Sequence, residues 1–253
     1  MQDAGWGIAD DSEVAPVGAR SPRDEVNKSN AEASIVMSWA ALFDWDGVII
    51  DSSSHHEESW ERLAVEVGKP LPSGHFRKGF GRKNEFIIPE LLGWTKDLEE
   101  IHRLSLRKEA LYRVVVAERG VEALPGVRTW LDRLRDAGVP CAIGSSTHRA
   151  NIDLSLGMIG IADYFSAIVT AEDVHHGKPN PEVFLTAAAR LGQAPQRCVV
   201  FEDALVGIAA AHAGGMKVVG VATTHPPEEL TDADRTVRRL DELQPEELAK
   251  WFV

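Results

Sequence analysis

The sequence is short of cysteine, of positive charge and of long apolar runs. Its 253 residues hold two cysteines, Cys141 and Cys198, each inside an apolar stretch. They read as small buried hydrophobes rather than a disulfide pair. That excludes a disulfide-built secreted scaffold and fits a reducing, cytoplasmic setting. Lysine and arginine number 27 against 39 aspartates and glutamates, for a net charge of −12. This deficit argues against a nucleic-acid or membrane-surface partner, because phosphates and anionic lipids repel such a chain. Small anionic metabolites stay open, since a few local cations and a metal outweigh net charge. No apolar stretch reaches the length of a membrane span. The first residues are acidic and carry no hydrophobic segment of the secretory kind. No Cys/His set has zinc spacing, so His175-His176 reads as a loop pair.

What is present falls into three parts. Residues 1–36 are rich in Ala, Ser, Asp, Glu and Gly without a sustained period, the composition of a disordered extension. Met37 stands just before the first apolar run. From Trp39 onward, short apolar runs alternate with helical patterns. The runs are Trp39–Phe43, Pro140–Gly144, Ala167–Thr170, Cys198–Phe201 and Lys217–Val221. Continuous runs of this length, separated by helices, predict buried parallel strands in an α/β domain. Val127–Ala137, Pro181–Leu191 and Ala204–Ala213 read as crossover helices, with Gly138 and Gly192 at helix ends. Between His56 and Glu122 no strand is evident. Glu57–Val67 and Leu98–Val116 are amphipathic, which predicts a helical insert after the first strand. Ser52–His55 and Gly120–Pro125 are its candidate hinges.

Four predicted strand ends carry polar groups, the place where open α/β sheets build sites. Phe43-Asp44-Trp45-Asp46-Gly47 sets two carboxylates one residue apart, so both can point to one side. One suits nucleophilic attack and the other proton transfer, and both offer hard oxygens to Mg²⁺. Alone, the same pattern also describes a strand end capped by a polar turn. Ser145-Ser146-Thr147 supplies hydroxyls for a phosphate, or an ordinary helix cap. Lys178, in Gly177-Lys178-Pro179, is placed to neutralise a phosphoryl group, or is a loop lysine. Glu202-Asp203 completes an oxygen-rich cation site, or is an acidic helix start.

Taken together and in this order, the four segments resemble the haloacid dehalogenase-like (HAD) superfamily. The likeness is to its β-phosphoglucomutase-like branch, over residues 38–222. The resemblance implies a Rossmann-like doubly wound parallel sheet with an inserted helical cap. The core would span 37–55 and 123–253, and the cap 56–122. It implies that Asp44 forms an aspartyl-phosphate and that Asp46 is general acid and base. Ser145, with Ser146 and Thr147, would bind the phosphoryl group, and Lys178 would steady it. Mg²⁺ would be held by Asp44, Asp203, Glu202 directly or through water, and the backbone carbonyl of Asp46.

On the insert, His56, Lys78, Arg82 and Lys108 are the candidate substrate-binding residues. Lys78-Gly79-Phe80-Gly81-Arg82 resembles the Lys-Gly-x-x-Arg loop of β-phosphoglucomutases, whose cations would grip a distal phosphate. Solvated surface charge is the ordinary alternative for such side chains. His56 and Trp60 are four residues apart and share one helix face. Trp60 is expected in the insert's own core. Trp45 departs from the usual Leu, Met or Phe, and either packs in the core or narrows the entrance. Lys83-Asn84-Glu85, the Trp94 region and Val237–Leu243 resemble plant phosphatases of the flavin pathway, which act on a ribityl-phosphate intermediate.

The expected activity is Mg²⁺-dependent hydrolysis of a small phosphorylated metabolite, by a monomer. A phosphomutase is the alternative. A non-catalytic protein on the same fold would have lost an Asp or the Lys, and none is missing. The superfamily's dehalogenases lack the second Asp of the first motif, whereas Asp46 is present.

Overall fold

A computed structural model of the chain describes residues 39–79 and 82–253. The extension expected over 1–36 lies outside the described residues, as do Phe80 and Gly81 of the Lys78–Arg82 loop. Six strands form one sheet: β1 (Ala40–Phe43), β2 (Cys141–Gly144), β3 (Phe165–Val169), β4 (Cys198–Glu202), β5 (Lys217–Val221) and β6 (Arg235–Val237). Their order is β3-β2-β1-β4-β5-β6, and every pairing is parallel. These are the buried parallel strands that the apolar runs predict, in the doubly wound order that the family resemblance implies.

The alternation along β1 explains why its run is apolar throughout. Trp39, Ala41 and Phe43 join one hydrophobic cluster, and Ala40 and Leu42 join another. Both faces are covered, so neither set tolerates polar residues. The longer helices are α1 (Ser53–Val67), α2 (Leu98–Arg119), α3 (Val127–Asp136), α4 (Arg149–Ile159), α5 (Glu182–Arg190) and α6 (Leu205–Ala213). Trp130 and Leu134 of α3 pack with Ile152 and Leu156 of α4 on the first face. Phe184 of α5 and Ile208 of α6 pack on the second. Phe43 stacks on Phe201 of the neighbouring strand at 4.6 Å, and burying one such ring stabilises by roughly 1.5–3 kcal/mol. Trp45 is fully buried, so it belongs to the core and not to an entrance. Cys141 and Cys198 are free and buried in β2 and β4.

Helices α1 and α2 leave the sheet between β1 and β2. With the short turns His75–Gly79 and Asn84–Phe86 and a π-turn at Ile87–Leu91, they enclose a third cluster. It includes Trp60, Leu63, Ile88, Trp94 and Leu104. Trp60 meets Trp94 edge to face at 6.0 Å.

Some boundaries differ from expectation. α1 begins at Ser53, so His56 sits in its first turn, with its N–H donated to Ser52 O. β3 starts at Phe165, two residues before the predicted run. β6 has no sequence signature, because Arg-Thr-Val is short, lies at a sheet edge and is buried only at Val237. Helix α4 is the helix expected after the Ser145-Ser146-Thr147 cluster, although Ile-Asp-Leu-Ser-Leu within it alternates like a strand. Among the described residues no helix is long and apolar enough to cross a membrane.

Candidate active site

The site lies where β1, β2 and β4 end. Asp44 N–H donates to Phe201 O at 3.0 Å, which carries the β1–β4 ladder one residue past the strand. This brings the buried Asp44 carboxylate beside the two acids that end β4. Lys178 Nζ lies 3.0 Å from Asp44 Oδ1 and 2.5 Å from Glu202 Oε1. Glu202 Oε2 accepts from Ala204 N–H at 2.7 Å. Burial drives the Asp44 carboxyl up; Lys178 pulls against it, while Glu202 and Asp46 add to it, leaving it at about 7. Burial, then Glu202 and Asp44, raises Asp203 well above the usual carboxylate range.

Two glycines make this crowding possible. A Cβ on Gly207 would fall 1.7 Å from Glu202 Oε1. Gly47 has φ +80°, and a Cβ there would fall 2.0 Å from Asp203 Oδ2. Only glycine fits both the space and the left-handed backbone at Gly47.

The residues present fit a small divalent cation. Asp44, Glu202 and Asp203 offer carboxylate oxygens within 4.8 Å of one another. Three buried carboxylates surround one ammonium, so negative charge is in excess. Asp203 Oδ1 is buried with no hydrogen-bond partner, an orphan that an ion would satisfy. All donors are hard oxygens, which suits Mg²⁺.

Asp46 stands apart from that cluster. Ser52 Oγ donates to its Oδ1 and Thr147 Oγ1 to its Oδ2. His56 Nε2 lies 3.5 Å from Oδ1. Burial alone would raise this carboxyl, but His56 and the two hydroxyls outweigh it and hold it down to about 2. The Asp46 side chain is thereby committed, and only its backbone carbonyl is left for a cation. Ser145 is buried, and its Oγ accepts from Thr147 N–H at 3.1 Å.

A cleft opens over these groups between the sheet and the insert. Asp44, Asp46, Ser145, Ser146 and Thr147 line one side, and His56, Trp60, Phe76, Arg82, Lys83, Glu85 and Lys108 line the other. Arg82 lines the insert side of the cleft. Lys78 does not: it is exposed and outside the lining. In the turn His75–Gly79, the cleft-lining His75, Gly79 and Phe76 (i, i+4 and i+1) fall within an arc of about 100°, and Lys78 lies outside that arc, beyond His75. Lys108 lines the cleft but is buried and engaged. Its Nζ is 2.6 Å from His56 Nδ1 and 3.0 Å from Glu109 Oε1.

Of the residues around the site, Tyr112, Glu109 and Thr224 carry no sequence signal. Tyr112 stacks on His56 at 4.1 Å. Buried Glu109 accepts from Asn84 at 2.7 Å and from Asn151 of α4. Burial would raise its carboxyl, but Lys108, then His56, His148 and Asn84, hold it down to about 2. Lys83 reaches from the insert to the Ala171 and Val174 carbonyls, both at 2.9 Å. Thr224 donates to Asp203. His175 and His176 are exposed loop residues whose N–H groups bind Glu182.

A match to the haloacid dehalogenase-like hydrolase family covers residues 40–215. The chain belongs to that family. This HAD hydrolase is 41% identical over 213 residues to the chloroplastic 5-amino-6-(5-phospho-D-ribitylamino)uracil phosphatase of Arabidopsis thaliana, covering 83% of this chain and 57% of that protein. The chain therefore spans little more than half the length of that relative. It is 32% identical over 210 residues to the β-phosphoglucomutase of Bacillus subtilis, covering 81% of this chain and 91% of the relative. The crystal structure of β-phosphoglucomutase from Clostridium difficile superposes with a TM-score of 0.75 at 28% identity, over 85% of this chain and 97% of that one.

Proposed function

We propose that this HAD hydrolase is a Mg²⁺-dependent phosphatase for a small sugar or polyol phosphate. The observation that carries the reading is the placement of buried Asp44 between Lys178 and the Glu202–Asp203 pair, at a strand end that opens into the cleft. In this reading 37–55 and 123–253 form the catalytic core, and 56–122 is a cap that closes over it.

The substrate's phosphoryl group lies against Ser145, Ser146 and Thr147, with its charge met by Lys178. Asp44 Oδ attacks phosphorus as the ester P–O bond breaks, which gives an aspartyl-phosphate and an alkoxide-like leaving oxygen. Asp46 passes to that oxygen a proton relayed from His56 Nε2, which the proton later taken from water replaces. Asp46 then takes a proton from water, which attacks the aspartyl-phosphate and releases inorganic phosphate and free Asp44. The His56 ring beside Asp46 helps hold the resting carboxylate ionised, the form that takes the proton from water. Asp44, Asp203, the Asp46 carbonyl and Glu202, directly or through water, would hold a magnesium ion, which would supply charge neutralisation at the phosphoryl oxygens. The cap side of the cleft offers Arg82 and Glu85, groups suited to the hydroxyls or a distal anion of a polyol chain. The Arabidopsis relative supports including a ribityl phosphate among the substrates.

The test is phosphate release from a panel of esters with Mg²⁺. It includes fructose 1-phosphate, 5-amino-6-(5-phospho-D-ribitylamino)uracil, and β-glucose 1-phosphate with a bisphosphate primer. Release from a sugar or polyol phosphate, abolished by Asp44→Asn, is the expected result. Isomerisation of β-glucose 1-phosphate faster than release would make the protein a mutase. Full activity in Asp44→Asn would end the nucleophile assignment.

A further inference from the structure

Thr223 and Thr224 sit on the loop leaving β5, outside every segment that the sequence pattern singles out. Thr224 Oγ1 donates to Asp203 Oδ2, while Asp203 Oδ1 is buried without a partner. Thr223 Oγ1 donates to the Gly47 carbonyl, and Gly47 N–H donates to Ile50 O at 2.8 Å. The first contact fixes a carboxylate at the end of β4. The second fixes the peptide that follows Gly47, in the turn after β1. Because the threonines are consecutive, one short loop registers two strand ends against each other.

The loop is itself anchored. Ala222 N–H donates to Val237 O at 2.8 Å, which extends the β5–β6 ladder into it. The short edge strand β6 thereby braces the loop that holds the site. Contact is close on all sides: a Cβ on Gly47 would lie 2.0 Å from Asp203 Oδ2 and 3.0 Å from Thr224 Oγ1.

The rotation of an aspartate carboxylate about its last torsion is soft. Two chemically equivalent oxygens then compete for any ligand. A hydroxyl on one oxygen removes that freedom and leaves the other oxygen presented. We propose that Thr224, with Thr223 behind it, is a positioning residue for a divalent cation: it holds Asp203 Oδ2 so that Oδ1 is presented to the ion. This role rests on the cation-dependent reading above, but its test needs no turnover.

Binding of Mn²⁺ alone to the full chain is followed by loss of the free-ion EPR signal, for the wild type, Thr224→Val, Thr224→Ala and Thr224→Ser. Thermal unfolding verifies that each variant is folded, and Ala serves if Val does not fold. The Val or Ala variant is expected to bind about 10- to 100-fold more weakly, the usual cost of removing an outer-sphere orienting group. Ser, which keeps the hydroxyl, is expected to restore binding. Wild-type affinity in folded Thr224→Val or Thr224→Ala would remove the role of Thr224 and leave the phosphatase reading intact. A wild-type protein that takes up no Mn²⁺ would overturn the cation site and this role together.

Discussion

Lys108 Nζ lies 2.6 Å from Nδ1 of His56, and its other close contact is the Glu109 carboxylate at 3.0 Å. An ammonium only donates, so Nδ1 accepts, and the ring proton of His56 resides on Nε2, the nitrogen that faces Asp46 at 3.5 Å. The insert thus sets which tautomer meets the Asp46 carboxylate.

Lys108→Met removes that constraint. With Nδ1 free to carry the proton, turnover is expected to fall by about 10²-fold, the lower end of what general acid–base catalysis contributes. Nitrogen-15 NMR of His56 should show the Nε2–H form in the wild type and a mixture in the variant. Unchanged turnover together with an unchanged tautomer would refute the arrangement.

Glu109 makes a stability prediction with a definite sign. Its carboxyl lies at about 2 in the folded chain against an ordinary 4.5. A depressed carboxylate stabilises the fold above its unfolded value, and that contribution is lost as pH falls from 4.5 toward 2. Glu109→Gln should lack this part of the acid limb. At neutral pH it should also be less stable by about 3–5 kcal/mol, since Lys108 is left buried without its counter-charge. Unfolding midpoints at several pH values, for both proteins, decide the matter. Parallel curves of equal height would show that the pair contributes nothing.

Gly207 inverts an ordinary rule. Within a helix, alanine usually exceeds glycine in stability by roughly 0.5–1 kcal/mol. Here a Cβ would fall 1.7 Å from Glu202 Oε1, the oxygen that Lys178 holds at 2.5 Å. Gly207→Ala is expected to lose about 1–3 kcal/mol through overpacking, and to disable turnover by displacing Lys178. Calorimetry beside steady-state kinetics checks both. An alanine variant as stable and as active as the parent would contradict the clash.

The sheet and the centre of the site were legible because they follow from local patterns. Strands buried on both faces must be apolar throughout, and polar residues can appear only where such strands end. Asp44, Asp46, Ser145, Lys178, Glu202 and Asp203 all stand at or near those ends, and the fold gathers them. Glu109 was not legible, because a glutamate on an amphipathic helix looks like a solvated residue. Its burial depends on Asn151, 42 residues farther on. Tyr112 and Thr224 escaped for the same reason: each acts through one tertiary contact. Lys78 misled because a loop motif conveys sequence spacing but not which face of a one-turn helix meets the cleft. β6 lacked a signal because an edge strand of three residues needs no apolar run.

The strand order has a kinetic consequence. β1 and β4, which deliver Asp44 and the Glu202–Asp203 pair, are the two innermost strands of six. Backbone amides there open to solvent only when the whole sheet does, whereas edge strands fray at much lower cost. Partial melting of β3 or β6 therefore leaves Asp44 and its acidic neighbours in register. Heat should destroy the chemistry and the sheet in a single cooperative event, with the slowest-exchanging amides of the protein lying directly beneath its reactive carboxylates.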